Sequence, residues 1–341
     1  MFELSIPEDY AGTRLDKFLR KQFPHVPTSH LFKLVRTKNL RLNNKRAKPE
    51  QLVAAGDVIR IHKPPEALSA PLPKKERPSS TPGSMPLHIL HEDDWLLVVD
   101  KPSGMAVHPG SGIPHGTVVD FVRAYLGEKA VRNGFSASPV HRLDKDTSGV
   151  LVVAKRRPAM VHFTQLLTEG KIKKGYLTLV KGPMPSPRGK IEVALAERQQ
   201  SHASKLLHGR RLQEASTVWQ QLECRHACAL LSVAPKTGRT HQIRRHFSSW
   251  SRPVLGDERY GDFAFNRIAK KRWGLGRMFL HACLLEFAHP KDGAAMRMLS
   301  KLPAELDRVL ENMGFSRPPE VELSSLHFGK KAPKERREES P

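Results

Sequence analysis

The stretch HRLDKDTSGVLVVAK, residues 141–155, joins a polar loop to an apolar run that has the length of a buried β-strand. Ionisable side chains crowd the loop, and the run Gly149–Ala154 contains no polar residue. A loop that enters a buried strand holds its side chains at the end of a rigid element, as catalytic groups require. Two carboxylates, Asp144 and Asp146, are therefore candidates for catalysis, although either could instead cap the backbone amides that follow it in a turn.

A second segment, TGRTHQIRRH at residues 237–246, carries three arginines and two histidines. An arginine beside a catalytic carboxylate would lower the pKa of that carboxylate and keep it ionised. The remaining arginines, Arg239 among them, have the planar fork that suits bidentate contact with a phosphate. Taken alone, the segment is equally compatible with a generic basic loop or the start of a helix.

Two further segments contain candidate functional residues. Residues 100–110, DKPSGMAVHPG, form a loop shaped by proline and glycine, and this loop lacks the GxxxxGK[ST] pattern of a nucleoside triphosphate site. His108 in that loop is either a base or a histidine that packs locally. In residues 171–182, Tyr176 begins a strand of alternating pattern and is one of four tyrosines in the chain. The alternative for Tyr176 is a residue at the core edge with its hydroxyl in solvent.

The charge of the chain indicates a polyanionic partner. Its 341 residues include 57 Lys and Arg against 34 Asp and Glu, a net charge of +23, which is typical of proteins that bind nucleic acid. No apolar run approaches the roughly 20 residues that a membrane helix needs. The first ten residues contain acidic groups where a targeting peptide would be basic. We expect no membrane association and a cytoplasmic location.

Three cysteines, Cys224, Cys228 and Cys283, are too few for a disulfide framework or a zinc ribbon. Cys224 and Cys228 could in principle hold a metal ion, but the favoured interpretation is two reduced cysteines in or near a strand. A reducing compartment agrees with this cysteine content. We expect no metal site.

The composition divides the chain into four parts. Residues 1–62 have the pattern of a small α+β module, and residues 63–86 form a linker with seven prolines. Residues 87–318 are expected to form one α+β domain with a mixed, mainly antiparallel sheet. Residues 319–341 are charged and are expected to be a disordered tail.

The N-terminal module is expected to expose a basic surface. Apolar spacing predicts a helix around residues 15–23 and a second helix from Ser29, followed by short strands at residues 40–44 and 58–61. Between residues 27 and 48 there is no acidic residue, and a phosphate backbone would use such a run of charge. We call its seven cations the basic stripe: Lys33, Arg36, Lys38, Arg41, Lys45, Arg46 and Lys48.

Several segments together resemble a known enzyme family. HRLDKDTSGVLVVAK and TGRTHQIRRH resemble the signatures of the RluA family of pseudouridine synthases, as do LGDERYG at residues 255–261 and MFLHA at residues 278–282. The loop at residues 100–110 resembles the family's NKP-x-G-x-x-V-H-x-G segment, with Asp100 where the family usually has Asn. The match runs in the family's order from about residue 87 to residue 300.

The N-terminal module resembles the alpha-L RNA-binding domain, which is named after a small-subunit ribosomal protein. Arg14–Lys17, the basic second helix and Ala55–Val58 carry this likeness. Among members of the synthase family, the pattern is most similar to the C type that acts on large-subunit rRNA. The spacing of residues 256–282 supports this subtype less firmly.

The resemblance implies isomerisation of uridine to pseudouridine in large-subunit (23S) rRNA, with no cofactor. By motif position, Asp144 is the essential carboxylate, and either a nucleophilic or a glycal mechanism is open. Arg244 would pair with Asp144, and Tyr176 would stack against the target uracil. Arg142 would enter the space that the flipped nucleotide vacates, or would hold the backbone. Asp146 is assigned to loop structure.

The implied partner is large-subunit rRNA, free or in an assembly intermediate, and the resemblance suggests a monomer. Two other functions stay open at this point. One is a non-catalytic RNA-binding or ribosome-assembly factor with a decayed catalytic fold. The other is the same reaction on a tRNA uridine.

Overall fold

The structure is a computed structural model, and it divides the chain into two compact units. The first unit comprises the described residues up to Leu97, with His108–His141 and Val152–Thr164. The second comprises Val98–Val107, Arg142–Leu151 and the described residues from Gln165 onward. The described residues are 2–23, 26, 28–37, 39–62, 88–110, 113, 115–196 and 212–316. The predicted linker at 63–86, the predicted tail at 319–341 and Lys38 of the basic stripe lie outside them.

The first unit begins with a four-stranded antiparallel sheet and two helices. Its elements are β1 (Phe2–Ser5), α1 (Leu15–Gln22), α2 (Thr28–Arg36), β2 (Leu40–Leu42), β3 (Lys45–Arg46) and β4 (Val58–Ile61). The sheet order is β1-β4-β2-β3. Both predicted helices are confirmed, and the second begins at Thr28 rather than Ser29.

The predicted strand at residues 40–44 ends two residues early. Asn43 and Asn44 have φ values of 49° and 63°, which the two central residues of a type I′ hairpin turn require. Asn43 also donates Nδ2 to Asp57 Oδ1 at 2.7 Å, which ties this turn to the start of β4. The basic residues on either side of the turn are therefore presented by a tight hairpin.

The first unit also contains two helices and several strands from later in the chain. Its further elements, some of which continue into the second unit along the chain, are β5 (His88–Glu92), β6 (Leu96–Lys101), α3 (Val118–Leu126), β7 (Val131–Arg132), β8 (Phe135–Ser136), β9 (Ser138–Pro139), β10 (Ser148–Ala154) and α4 (Arg157–Thr168). Arg157 donates Nη1 to the carbonyl oxygen of Asp9 at 2.5 Å, and its guanidinium lies 4.9 Å from the ring centre of Tyr10. These contacts join the N-terminal module to α4.

The second unit is built on a larger mixed sheet. Its remaining elements are β11 (Lys173–Lys181), β12 (Arg188–Glu192), β13 (Leu195–Ala196), β14 (Leu212–Gln213), β15 (Ser216–Arg225), β16 (Cys228–Pro235), α5 (Gln242–Ser249), α6 (Phe263–Trp273), β17 (Leu280–Ala288), β18 (Ala295–Leu299) and α7 (Ala304–Asn312). Its strands follow the order β12-β15-β16-β11-β17-β10-β6, and β18 also pairs with β17. The pairs β12·β15, β15·β16, β11·β16, β11·β17 and β17·β18 are antiparallel, whereas β10·β17 is parallel. The predicted α+β class with a mixed, mainly antiparallel sheet is confirmed.

Gly149 is required where β10 meets β17. The register places Ser148 opposite His281 and Gly149 opposite Ala282. Gly149 has a φ of +119°, and a Cβ there would lie 2.1 Å from the carbonyl oxygen of Ala282. Because no side chain fits that gap, glycine is what lets β10 begin against β17. The loop that contains Asp144 leads directly into this junction.

The three cysteines are free. Cys224 is exposed in β15, whereas Cys228 in β16 and Cys283 in β17 are buried. Burial raises the pKa of both buried thiols to about 12, so they carry no thiolate at neutral pH. Within the described ranges, no three His, Cys, Asp or Glu side chains are grouped to hold a metal ion. Among those same residues, no helix has the length and apolar character to cross a bilayer.

Candidate active site

Three charged side chains of the second unit form a continuous chain of hydrogen bonds. Arg244 donates Nη1 to Asp144 Oδ2 at 3.0 Å. It also donates Nε and Nη2 to the two carboxylate oxygens of Asp257, at 2.6 Å and 2.9 Å. The side chain of Asp257 is fully buried, and that of Asp144 is 15% exposed. Of these three side chains, Asp144 is therefore the one that a substrate can reach.

Local backbone structure aims both carboxylates at Arg244. The turn after Asp144 is closed by the backbone, because Thr147 N donates to the Asp144 carbonyl oxygen at 3.2 Å. The carboxylate of Asp144, which could have capped that turn, binds Arg244 instead. At the other end, Asp257 Oδ1 accepts hydrogen bonds from the amides of Arg259 at 2.8 Å and Tyr260 at 2.9 Å.

The electrostatics of this cluster keep Arg244 and Asp257 charged. Burial opposes the charged form of Arg244, but its hydrogen bonds with Asp257 and Asp144 outweigh burial and hold its pKa above the ordinary value. Burial also opposes ionisation of Asp257, but the guanidinium and the amides of Tyr260 and Arg259 lower its pKa. Asp257 therefore compensates the charge of the buried guanidinium. Asp144 accepts a hydrogen bond from Nη1 of this guanidinium, whose position and charge are fixed.

Tyr176 lies in β11, opposite Val233 of β16. It is partly buried and packs against a core cluster that includes Ile243 and Phe247 of α5. Burial, and then the negative charge of Asp144, raise the pKa of the Tyr176 hydroxyl above its ordinary value. The phenol is therefore protonated at neutral pH and can donate a hydrogen bond.

The predicted alternation of this strand is wrong. β11 begins at Lys173, three residues before Tyr176, and every residue from Leu177 to Val180 is buried. Leu177 and Leu179 pack in one core cluster and Val180 packs in another, so both faces of β11 are covered and the strand has no polar face. Tyr176 is at the last position before this buried run.

Sequence reasoning missed His241, a neighbour of Asp144, and Tyr260, a neighbour of Arg244. His241 Nε2 lies 3.8 Å from Asp144 Oδ1, and His241 Nδ1 lies 3.0 Å from the Tyr260 hydroxyl. The ring of Tyr260 lies beneath Arg244, with 5.1 Å between the guanidinium carbon and the ring centre. Both residues stand in segments that resemble the family's motifs, which was the available signal for them, but nothing in their spacing indicated these contacts.

Buried Lys101, also missed, anchors the loop of Asp144. Its Nζ donates to two carbonyl oxygens of its own loop, each at 2.8 Å, and to the carbonyl oxygen of Lys145 at 3.0 Å. Burial lowers the pKa of Lys101 to about 7. Ser103 Oγ donates to the carbonyl oxygen of Asp146 at 2.9 Å. The carbonyl groups of Lys145 and Asp146, the two residues after Asp144, are thereby held by hydrogen bonds from Lys101 and Ser103.

A second anchor holds the start of β10. Arg277 donates Nη2 to Ser148 Oγ at 2.9 Å, and Ser148 Oγ lies 2.9 Å from His281 Nδ1. His281 Nε2 lies 3.1 Å from the carbonyl oxygen of Ser300. Because that carbonyl needs a donor, Nε2 carries the hydrogen and Nδ1 accepts from Ser148. Burial lowers the pKa of His281 to about 4, so the ring is neutral.

The predicted RNA-binding residues divide between the two units. In the second unit, Arg142 is exposed two residues before Asp144. Arg239 is exposed as well and donates Nε to the carbonyl oxygen of Glu214 at 3.1 Å. In the first unit, the described members of the basic stripe are all exposed: Lys33, Arg36, Arg41, Lys45, Arg46 and Lys48. The structure thus brings Asp144 and Arg244 into contact within the second unit, and the described members of the stripe belong to the first unit.

His108, which the sequence left open as a base, is exposed and belongs to the first unit. Asp146 has an exposed side chain, and its carbonyl oxygen accepts the hydrogen bond from Ser103. That arrangement agrees with an assignment of Asp146 to loop structure.

Comparison with protein families finds two matches. Residues 95–249 match the family described as RNA pseudouridylate synthase, and residues 13–59 match the S4 domain. The first match spans Asp144, Tyr176 and Arg244. The second covers the described members of the basic stripe.

Comparison with individual proteins extends over almost the whole chain. Ribosomal large subunit pseudouridine synthase C of Escherichia coli (strain K12) is 38% identical over 317 residues, which are 91% of this chain and 96% of that protein. The protein of the same name from Vibrio vulnificus is 36% identical over 92% of this chain and 97% of its own length. Among solved structures, Human RNA Pseudouridylate Synthase Domain Containing 4 is 28% identical, with a TM-score of 0.54 over 68% of this chain and 95% of that one. On this identity and coverage, the chain belongs to the RluA family of RNA pseudouridine synthases.

Proposed function

We propose that this enzyme isomerises specific uridines of large-subunit (23S) ribosomal RNA to pseudouridine, with Asp144 as the essential carboxylate and without a cofactor. The observation that carries the proposal is the accessible carboxylate of Asp144 at the outer edge of a buried, permanently charged Arg244. Relatives that span nearly the full chain are named for large-subunit rRNA, and this supports the choice of substrate.

The target uridine must leave its helix before the reaction, because neither the ribose face nor a rotating base is accessible inside a stack. Arg142 is exposed on the same loop as Asp144 and has the reach and charge to enter the vacated space or to hold the flanking phosphate. Tyr176 offers a ring for the flipped uracil and a protonated hydroxyl as a donor.

In the reaction, the carboxylate of Asp144 either attacks the anomeric carbon or removes the proton at the 2′ position. Both routes break the glycosidic bond between carbon and nitrogen and release an anionic uracil that stays bound. The uracil then rotates and forms a carbon–carbon bond to the same ribose. In the first route this displaces the carboxylate of Asp144 from the anomeric carbon, and in the second Asp144 returns the proton to the 2′ position. The ring carbon loses its proton and the former glycosidic nitrogen gains one, so the product is an isomer and nothing is oxidised.

The exposed cations of the S4 domain are assigned to the RNA backbone. Arg41 lies directly opposite Arg46 in the neighbouring strand, and both side chains are exposed. Like charges placed opposite each other destabilise a sheet, and an anion such as a phosphate would relieve this repulsion. We further assign the enzyme to the cytoplasm, as a monomer on free rRNA or an assembly intermediate.

The test is chemical mapping of pseudouridine in large-subunit rRNA from cells that lack this protein. Complementation uses wild type, Asp144→Asn and the matched control Asp146→Asn, which makes the same change two residues away. We expect lost sites to return with wild type and Asp146→Asn but not with Asp144→Asn. Sites restored by Asp144→Asn would refute the assignment of the carboxylate.

Purified enzyme on protein-free transcripts separates the other two functions. Pseudouridine in the rRNA transcript supports the proposal. Pseudouridine in tRNA alone would move the substrate to tRNA. No product in either RNA, with an unchanged cellular map, would favour a non-catalytic assembly factor.

A further inference from the structure

A groove between α1 and α2 in the first unit has an apolar lining. Leu19, Leu31, Val35 and Pro49 form part of this lining, together with Phe32. Leu19, Leu31 and Val35 are buried, whereas Phe32 keeps 39% of its surface in solvent. The groove thus presents an aromatic ring above a buried apolar floor.

Exposure of one aromatic residue would not by itself define a site, since single apolar residues are common on surfaces. The two helices otherwise bury their large apolar side chains in the module's core. The buried residues of the two helices are Leu15, Phe18, Leu19, Leu31, Leu34 and Val35. What distinguishes Phe32 is the charge that surrounds it.

Cations flank the ring on both helices. Arg20 of α1 lines the groove. On α2, Lys33 follows Phe32 directly, and Arg36 lies four residues later, on the same side of the helix as Phe32. The side chains of Arg20, Lys33 and Arg36 are all exposed.

The acid in the groove is already neutralised. Asp16 lines it, and Arg14 donates Nε to Asp16 Oδ1 at 3.1 Å and Nη2 to Asp16 Oδ2 at 2.8 Å. This two-pronged ion pair removes the local negative charge. The ring of Phe32 therefore lies in a positive field.

We propose that one unpaired base of the RNA stacks on the exposed face of Phe32, at the rim of this groove, with the flanking phosphates at Arg20, Lys33 and Arg36. The inference rests on the proposed function, because it names the form of RNA that the S4 domain recognises. An aromatic face accepts any base, cations accept the flanking phosphates, and a base inside a helix cannot reach the ring. A wholly apolar peptide would leave the three cations without a counter-charge.

The S4 domain would thus select RNA that carries a bulge or a loop, rather than a plain duplex. The test uses the full chain and two hairpin RNAs that contain no uridine, so that neither offers a target to the active site. The hairpins are identical except for a single bulged 2-aminopurine in one of them. We expect wild type to bind the bulged hairpin about tenfold more tightly and to quench 2-aminopurine fluorescence on stacking.

Variants at Phe32 distinguish a side chain that stacks on a base from one that only covers the apolar groove. Phe32→Tyr should keep both the preference and the quenching, whereas Phe32→Ala should lose both. Phe32→Leu should lose the quenching, because leucine has no π face. The control is Leu52→Ala, which removes a side chain that is 64% exposed in the same module but outside the groove. Circular dichroism checks that each variant is folded.

Two outcomes would overturn the inference. One is equal affinity of wild type for both hairpins. The other is unchanged binding by folded Phe32→Ala, which would leave the groove to a protein partner. Turnover on saturating rRNA transcript is measured separately for wild type and for the control Leu52→Ala, in which it should be unchanged. A protein that makes no pseudouridine but still binds the bulged hairpin more tightly than the plain hairpin would refute the proposed function and support this inference.

Discussion

Asp257, whose side chain has no exposed surface, holds Arg244 through two hydrogen bonds of 2.6 Å and 2.9 Å. The third contact of the same guanidinium, at 3.0 Å, is with Asp144. The position of the catalytic candidate therefore depends on an acid that no substrate touches. Removing one partner of a buried ion pair leaves the other charge uncompensated, and this is more costly than losing a surface pair.

Asp257→Asn should lower the free energy of unfolding by about 3–5 kcal/mol, measured by urea denaturation. Turnover should fall as well under conditions where the variant is folded, because Arg244 is no longer aligned. Asp262→Asn is the control, since asparagine keeps the cap that Asp262 forms with Phe265 N at 2.9 Å, and loss of the partly exposed ion pair with Lys181 should cost at most about 1 kcal/mol. Equal losses in the two variants would contradict a special role for Asp257.

Tyr176→Phe should be milder than Tyr176→Ala if the ring stacks on the flipped uracil. Stacking contributes about 1–3 kcal/mol per base, so Tyr176→Ala should lower kcat/KM by at least fivefold relative to Tyr176→Phe. Single-turnover assays on a short rRNA fragment measure both. Equal losses would show that the hydroxyl, protonated because burial raises its pKa, is the group that matters.

Acid should weaken the fold through His281. Its pKa of about 4 lies below the ordinary value of 6.5, so between these pH values the unfolded chain binds a proton that the folded chain does not. Stability should therefore fall as the pH drops from about 6.5 to about 4, by about 3 kcal/mol from this residue. His281→Asn should flatten this slope in urea denaturation, whereas His115→Asn, at an exposed histidine, should preserve it. An unaltered slope in His281→Asn would assign the acid sensitivity to other groups.

Neutralising the hairpin of the S4 domain should weaken RNA binding without weakening the fold. Because Arg41 and Arg46 lie opposite each other, Arg41→Gln with Arg46→Gln should leave stability unchanged or raise it by up to about 1 kcal/mol. The slope of log K against log salt should fall by about 2, one for each phosphate contact. Lys270→Gln with Lys271→Gln, on exposed residues of α6, is the control. An identical salt slope in both double variants would argue against the hairpin as an RNA contact.

Much of the fold was predictable because its signals are local. The helix that buries Leu15, the second helix of the module and the apolar strand after Gly149 each depend on a few adjacent residues. The burial of the strand of Tyr176 was predicted wrongly because both of its faces pack into core clusters. A sequence pattern reports a strand's own preferences, and the burial of its faces depends on what packs against them.

The candidate site shows the same contrast between what local sequence indicates and what tertiary contacts decide. The sequence by itself determined which groups are candidates for the chemistry, since Asp144 and Arg244 stand in motifs that can be identified without a structure. Only the tertiary structure decided their partners. Arg244 reaches Asp144 across 100 residues of chain, and it reaches Asp257, which no spacing rule pointed to, across 13. Periodicity reflects contacts along a helix or strand. These ion pairs form instead because folding brings together the loop before β10, helix α5 and the loop before α6.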